Sequence, residues 1–535
     1  MSNTDPPAVK FKNEGNVLFA KKDYRAAHHK YTLAIKEDGN NAILYANRAA
    51  CSHYLHKFLD ASADALKATD IDPTYAKGWA RHAAARGSLG DEQGSVNSWK
   101  KAIDALPKQN KTPAEVKQQE QYQADLTTME KKLKTSRSHN ERRAERGPPV
   151  TEETAPWTRA VALLPELQAS QQVMSSAFVI RGALWDWEHG SKVMDKLTIT
   201  AGGMAAGDRA IDSLSNAILR DSRIFALGLN SSSFFNKFGK QVLYESQVAK
   251  AWTSGGAQTI IPELVKRQQL EGWLLARRAI NTTSRILIVR GFRESRVGNH
   301  AGAVEFIGCV LEIIRWGNKT WADVPVEDRG IMFDDSFMHG VHALYLEVLL
   351  EAASESPKKY LDLLRKEAQA LLQCDVARFS DNRVDPGFIA SFTTYPRATA
   401  FSALGYCHVQ KSRRLEEANS EDKETIESFY QDAAKAYSSS AESYFEDDEK
   451  HMWMLICSLM CSFDYHAPLS ATLPMMQQLR KCIPAVKTIW EFGKLYKKST
   501  EHLETIMDFE TRVRKAVDDG RLDMESVVRP GDSRL

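Results

Sequence analysis

A period of 34 residues, held without insertion through three successive units, constrains this chain more than any other feature of its sequence. The aromatic that opens each first helix recurs as Phe11, Tyr45 and Trp79, and the small residue four places on recurs as Gly15, Ala49 and Ala83. Twelve residues further stand Ala27, Ala61 and Ser95, followed by Tyr31, Ala65 and Trp99 and then Ala34, Ala68 and Ala102. The second helices stop at Gly39, Pro73 and Pro107. Small residues at fixed positions let two antiparallel helices approach closely while large aromatics fill the gaps. Each unit therefore buries its apolar face only by stacking on its neighbour.

This pattern resembles the tetratricopeptide repeat, a resemblance that implies an array of helical hairpins with the first helix of each pair on a concave face. After the third unit, Thr112-Pro113-Ala114-Glu115 reads as an N-cap, a first-turn proline and the glutamate of a capping box, and Tyr122, Leu126, Met129 and Leu133 follow at helical spacing. A seventh, capping helix is expected, closing a repeat domain at residues 8–134. From 135 to 156 the apolar period gives way to a charged, proline-containing stretch that reads as a solvated linker. Helical periodicity then persists over 157–520, with Leu197 to Thr200 the one strand-like run, and residues 521–535 read as a flexible tail. The fold class is all-α. Two places in the second half echo the repeat spacing: Leu287, Gly291 and Ala303, and Phe401, Leu404 and Gly405 followed after a charged insertion by Ala433 and Tyr437. Both read as degenerate helical hairpins.

Five polar residues fall on the concave face. Lys12 and Asn16 are i,i+4 on the first helix of unit one, Asn47 is on that of unit two, and Lys77 and Arg81 are i,i+4 on that of unit three. Two ammoniums, one guanidinium and two carboxamides form a donor set for two carboxylates, a main-chain terminus and an Asp side chain. Asparagine costs helix propensity, and a purely structural position would rarely tolerate it twice. The local sequences Lys12 to Asn16, Leu44 to Ala50 and Ala76 to Arg81 resemble those of co-chaperones that bind the C-terminal Glu-Glu-Val-Asp peptide of heat shock proteins 70 and 90. The resemblance implies that Lys12, Asn16, Asn47 and Lys77 hold the terminal carboxylate and terminal Asp, and that Arg81 holds the Asp side chain and nearby backbone. Tyr54 departs from some relatives, where a charged residue faces the peptide, and so leaves the choice between the two chaperone families open.

The composition removes other classes. With 71 Lys+Arg against 69 Asp+Glu in 535 residues, no global charge drives the chain to nucleic acid or an anionic membrane. The basic run from Lys131 to Arg146 is diluted by Glu141 and Glu145 and lacks interleaved aromatics. No apolar run is long enough to span a bilayer. Seven scattered cysteines fit a reducing compartment, with Cys457 and Cys461 read as core thiols. Asp335, His339 and His342 fall at i, i+4 and i+7, as a metal site does, but Asp334 or Asp335 reads better as a helix cap with the histidines on the polar side. The glycine-rich run Ala201 to Asp208 lacks the Lys-Ser/Thr of a phosphate loop and reads as a turn. No catalytic set, metal or cofactor is assigned. The expectation is a non-catalytic adaptor whose second domain offers a client or partner surface. The alternatives are an enzyme in the helical half, or a scaffold for an unrelated acidic C-terminus. Cytoplasm is the expected location. The alternative is the peroxisome, because Ser533-Arg534-Leu535 differs from the Ser-Lys-Leu address only by Arg for Lys, with Pro530 and Gly531 expected to hold it off the body.

Overall fold

The repeat period becomes three hairpins: α1 (Pro7–Ala20) with α2 (Tyr24–Glu37), α3 (Ala42–Tyr54) with α4 (Phe58–Ile71), and α5 (Ala76–Ser88) with α6 (Glu92–Asp104). This computed structural model describes residues 6–144, 153–200, 203–205, 207, 209–225, 231–374, 385–418 and 422–534. Asp23, Asn41 and Asp91 cap α2, α3 and α6 by accepting backbone N–H bonds. Within the first hairpin the spacing is set by Gly15: a Cβ there would lie 2.8 Å from the Tyr31 ring, so only glycine lets the two helices come this close. The capping helix α7 (Pro113–Ala144) starts with the expected reciprocal box. Glu115 Oε2 accepts from Thr112 N at 2.8 Å, and Thr112 Oγ1 accepts from Glu115 N at 3.3 Å. Tyr122 and Leu126 bury against Trp99 and Leu106.

Helix α7 runs on through the stretch read as the start of a linker. The segment 135–144 lost its apolar period but contains no proline or glycine to stop a helix, and charge alone does not end one. Residues 145–152 of that expected linker lie outside the described residues.

The remaining elements are α8 (Pro156–Ala169), α9 (Ser176–Asp195), β1 (Thr198–Thr200), β2 (Gly203–Ala205), α10 (Ala210–Arg220), α11 (Ser231–Ala249), α12 (Ala257–Glu271), α13 (Trp273–Arg296), α14 (His300–Thr320) and α15 (Val326–Arg329). They continue with α16 (Asp335–Glu355), α17 (Pro357–Gln373), α18 (Pro386–Ile389), α19 (Tyr395–Glu417), α20 (Lys423–Ser443), α21 (Glu449–Asp464), α22 (Leu469–Trp490) and α23 (Lys494–Asp518). Among the described residues the architecture is helical apart from one antiparallel strand pair, in which Ile199 pairs with Met204. The chain forms two units, Met1–Gly147 with Gly239–Phe333, and Pro148–Phe238 with Asp334–Leu535. The stretch read as one domain at 157–520 is thus divided, and residues 239–333 fold with the repeats.

In the first unit, two helices whose N-cap residues make no side-chain cap are capped by carboxyls of other helices. At the start of α12, Gly256 N and Thr259 N each donate to Asp60 Oδ1 of α4 at 3.0 Å, and Thr259 Oγ1 donates at 2.7 Å. In return, Leu59 N at the start of α4 donates to Glu305 Oε1 of α14 at 3.1 Å. Both carboxyls are buried, and burial pushes Glu305 up to about 8. Lys57, Asp60 and Glu312 are the charged groups around it. The hairpin α13–α14 repeats the spacing of the first unit, with Gly291 against Ile307 and a virtual Cβ at 2.6 Å.

In the second unit, a Cβ added at Gly405 of α19 would lie 2.8 Å from the Tyr437 ring of α20, as one at Gly15 would from Tyr31. Both sequence echoes are therefore hairpins packed closely at a glycine, one against Ile307 and one against Tyr437. Arg223, buried, bridges Asp221 at 2.6 Å and Asp448 at 2.8 Å and lies 3.8 Å from the Trp490 ring centroid. The C-terminal segment differs from expectation because its main chain is hydrogen-bonded to the body. Leu469 N donates to Ser526 O at 3.0 Å, Ser470 N donates to Met524 O at 2.7 Å, and Arg521 Nη1 donates to Arg534 O at 3.1 Å. Leu535 lies outside the described residues.

Two predictions follow from these contacts. The folded protein holds the Glu305 proton to about pH 8, whereas an unfolded glutamate releases it near 4.5. This contribution to stability is complete below the lower value and is lost as the pH rises through the upper one. Urea unfolding followed from pH 5 to 8 should show stability falling, and Glu305→Gln should flatten that slope, with the variant ahead by on the order of 1 kcal/mol or more at pH 8. Gly405→Ala should cost about 1–3 kcal/mol by overpacking Tyr437, read as a lower melting temperature.

Candidate functional site

The first helices α1, α3 and α5 carry the five polar residues singled out in the sequence. Asn16 and Asn47 are brought together: Asn47 Nδ2 donates to Asn16 Oδ1 at 3.4 Å across the α1–α3 gap. The same Oδ1 accepts from the Tyr31 hydroxyl at 2.8 Å. Lys77 and Arg81 are exposed on α5 and Lys12 is half-buried on α1. Among the described residues no carboxylate pairs with Lys12, Lys77 or Arg81. Nearby acids are engaged elsewhere. Glu14 pairs with Lys30 at 2.6 Å, and Asp64, buried, holds Arg48 through two bonds of 2.7 Å.

The Arg81 charge is felt on three sides. Burial pushes the Cys51 thiol up to about 12, and Arg81 opposes that rise. Burial also raises Tyr75 and Tyr122, again against Arg81, and it lowers His53, with Arg81 adding to the effect. These groups lie on α3, before α5 and on α7, so the guanidinium charge is near all three. Cations without a carboxylate partner are available to an anion. The paired carboxamides add N–H donors for hydrogen bonds to it.

Further along the same face of α3, Tyr54 is 51% exposed and stacks on Tyr24 at 4.4 Å with an interplanar angle of 7°. Phe19 meets Tyr54 edge-on at 5.7 Å. His53 Nε2 lies 3.4 Å from Ser88 Oγ, linking α3 to α5. The sequence reading found Tyr31 as a packing aromatic and missed its hydroxyl bond. It also missed His53 and Ser88, since a partner 35 residues away leaves no trace in helical spacing.

The other candidates are not assembled. Asp334 caps α16 by accepting from Ser336 N at 2.9 Å, as expected. His339 and His342 are not on a polar side, however. Both are buried, because neighbouring segments satisfy them: the Phe392 carbonyl lies 3.3 Å from His339 Nδ1 and Glu367 Oε2 lies 3.0 Å from His342 Nε2. Asp335 joins neither contact. Among the described residues no group of three or more His, Cys, Asp or Glu is placed to hold a metal ion. Burial pushes Cys457 and Cys461 up to about 12, as befits core thiols. Of the glycine-rich run, Ala201, Gly202, Ala206 and Asp208 lie outside the described residues, and the rest flank the β-hairpin turn. Lys132 of the basic run pairs with Glu92 at 3.7 Å. Among the described residues no helix is long and apolar enough to cross a membrane.

No family model matches the chain. It is 41% identical over 96 residues to "Heat shock protein sti1 homolog" of Schizosaccharomyces pombe, 18% of this chain and 16% of that protein. It is 40% identical over 103 residues to "Small glutamine-rich tetratricopeptide repeat-containing protein 2" of Saccharomyces cerevisiae, 19% of this chain and 30% of that protein. It is 37% identical over 100 residues to "Heat-shock protein cognate (HSC) co-chaperone sgt12" of Aspergillus fumigatus, 19% of this chain and 29% of that protein. The matched stretch spans less than a third of each relative's own length. These matches agree with the fold: residues 7–144 are a three-unit tetratricopeptide repeat with a capping helix.

Arg48 stands beside Asn47 but serves the scaffold. Arg48→Ala strands the buried Asp64 carboxylate and should cost about 3–5 kcal/mol, measured as the drop in unfolding free energy in urea.

Proposed function

We propose that the groove of α1, α3 and α5 is a two-carboxylate clamp for the C-terminal Glu-Glu-Val-Asp peptide of heat shock proteins 70 and 90, and that the chain is a non-catalytic adaptor. Supporting this reading are the Asn16–Asn47 hydrogen bond between α1 and α3, and Lys12, Lys77 and Arg81 on the first helices without a carboxylate partner among the described residues, while Glu14 and Asp64 are bonded elsewhere. In this reading Lys12, Asn16, Asn47 and Lys77 hold the terminal carboxylate, and Arg81 takes the Asp side chain. The names of the matched relatives, heat shock protein and co-chaperone, support the partner class. The second unit, built on its own core, supplies the surface for a client or partner. A clamp for cytosolic chaperone tails works in the cytosol, which is where we place the protein.

Charge-assisted hydrogen bonds of about 1.5–3 kcal/mol each, offset by ordering a mobile peptide, give a Kd of about micromolar for a five-residue peptide. Raising the salt concentration should weaken binding. Lys77→Ala and Arg81→Ala each leave a carboxylate short of donors and should cost about 2–5 kcal/mol, and amidating the peptide's C-terminus should be comparably damaging. Calorimetry would sink the clamp if both variants bound the peptide as the starting protein does.

A further inference from the structure

A clamp for carboxylates needs its carboxamides to face the ligand with nitrogen, yet an unrestrained asparagine can turn either end outward. Asn16 is restrained. Its Oδ1 accepts from Tyr31 at 2.8 Å and from Asn47 at 3.4 Å. Its Nδ2 has no partner among the described residues. Tyr31 itself cannot move aside: it is 2% exposed, and its ring lies against Gly15 with no room for a Cβ. Burial pushes the hydroxyl up to about 12, so it stays protonated, and in this structure it donates to Asn16 Oδ1.

We propose that Tyr31 is a positioning residue which, by fixing the Asn16 oxygen inward, makes the clamp select a carboxylate over a neutral amide C-terminus. The inference rests on the clamp reading and assigns its selectivity to a residue outside the groove. With Oδ1 engaged, Asn16 presents only N–H donors. A carboxylate accepts from them, whereas an amide nitrogen offers a donor that meets another donor. Without the hydroxyl, Asn16 can rotate and offer its oxygen to an amide. The placement is specific to unit one. The equivalent positions in units two and three are Ala65 and Trp99, which carry no hydroxyl. Tyr437 packs on Gly405 in the same way, but there the neighbouring residue is Tyr406 and not an asparagine.

The test is calorimetry on the full chain with two peptides ending Glu-Glu-Val-Asp, one a free acid and one C-terminally amidated. Tyr31→Phe should cut the acid-over-amide preference about three- to ten-fold, by weakening the acid while the amide holds or tightens. Asn16→Asp keeps an acceptor for Tyr31 but turns oxygen to the groove, and should weaken the acid peptide at least about ten-fold. Tyr437→Phe should leave the preference unchanged. An unaltered preference in a folded Tyr31→Phe, or full acid binding by Asn16→Asp, overturns the inference. If Tyr31→Phe melts early, Asn16→Asp alone decides. If the starting protein itself shows no preference, the clamp reading fails and takes this inference with it.

Discussion

A large side chain resting on a glycine sets the helix spacing in three of the hairpins. Tyr31 on Gly15 and Tyr437 on Gly405 leave 2.8 Å to a virtual Cβ, and Ile307 on Gly291 leaves 2.6 Å. At that spacing the hairpins stack and bury their small residues, with Ala27 and Ala433 fully out of water. In the first hairpin the contact does a second thing. It carries the Tyr31 hydroxyl to Asn16, so a packing residue also orients a groove residue. Fold and site are joined there through one ring.

Electrostatics divides the first unit into two regimes. Away from the groove, carboxyl groups are engaged within the fold: Asp64 with Arg48, Asp60 Oδ1 over the α12 N-terminus, and Glu305 over the α4 N-terminus. The two exchanged caps fasten α12 and α14 to the second helix of the middle repeat and leave the first helices to face the groove. In the groove, Lys12, Lys77 and Arg81 have no acid among the described residues. In the proposed clamp those three cations are the partners of an anion from outside. Desolvation gives that anion charge-assisted bonds stronger than neutral ones.

The repeats, the capping box at Thr112 and Glu115, and both degenerate hairpins were legible because each depends on spacing within one or two helices. Gly405 and Tyr437 could be matched across a charged insertion since small and aromatic residues kept their order. What could not be read depends on residues far apart in the chain. Nothing near Asp60 announces Thr259, nor does anything near Leu59 announce Glu305, so the attachment of residues 239–333 to the repeats was invisible and a single second domain was expected. The start of the linker was misplaced because loss of apolar period was taken for loss of helix, and α7 shows the two are separate. His339 and His342 read as surface residues because their partners lie 53 and 25 residues away. The five residues proposed for the clamp come from the sequence. The hydroxyl that orients one of them was not, because tyrosine and phenylalanine serve the packing equally well.

The account comes down to where a peptide's carboxylates sit. A crystal structure of the full chain with a Glu-Glu-Val-Asp peptide tests this most directly. The account predicts the terminal carboxylate within hydrogen-bond distance of Lys12, Asn16, Asn47 and Lys77, the Asp side chain at Arg81, and Asn16 Oδ1 still on Tyr31. A peptide bound elsewhere, or seated in the groove with its terminus away from those residues, would contradict it.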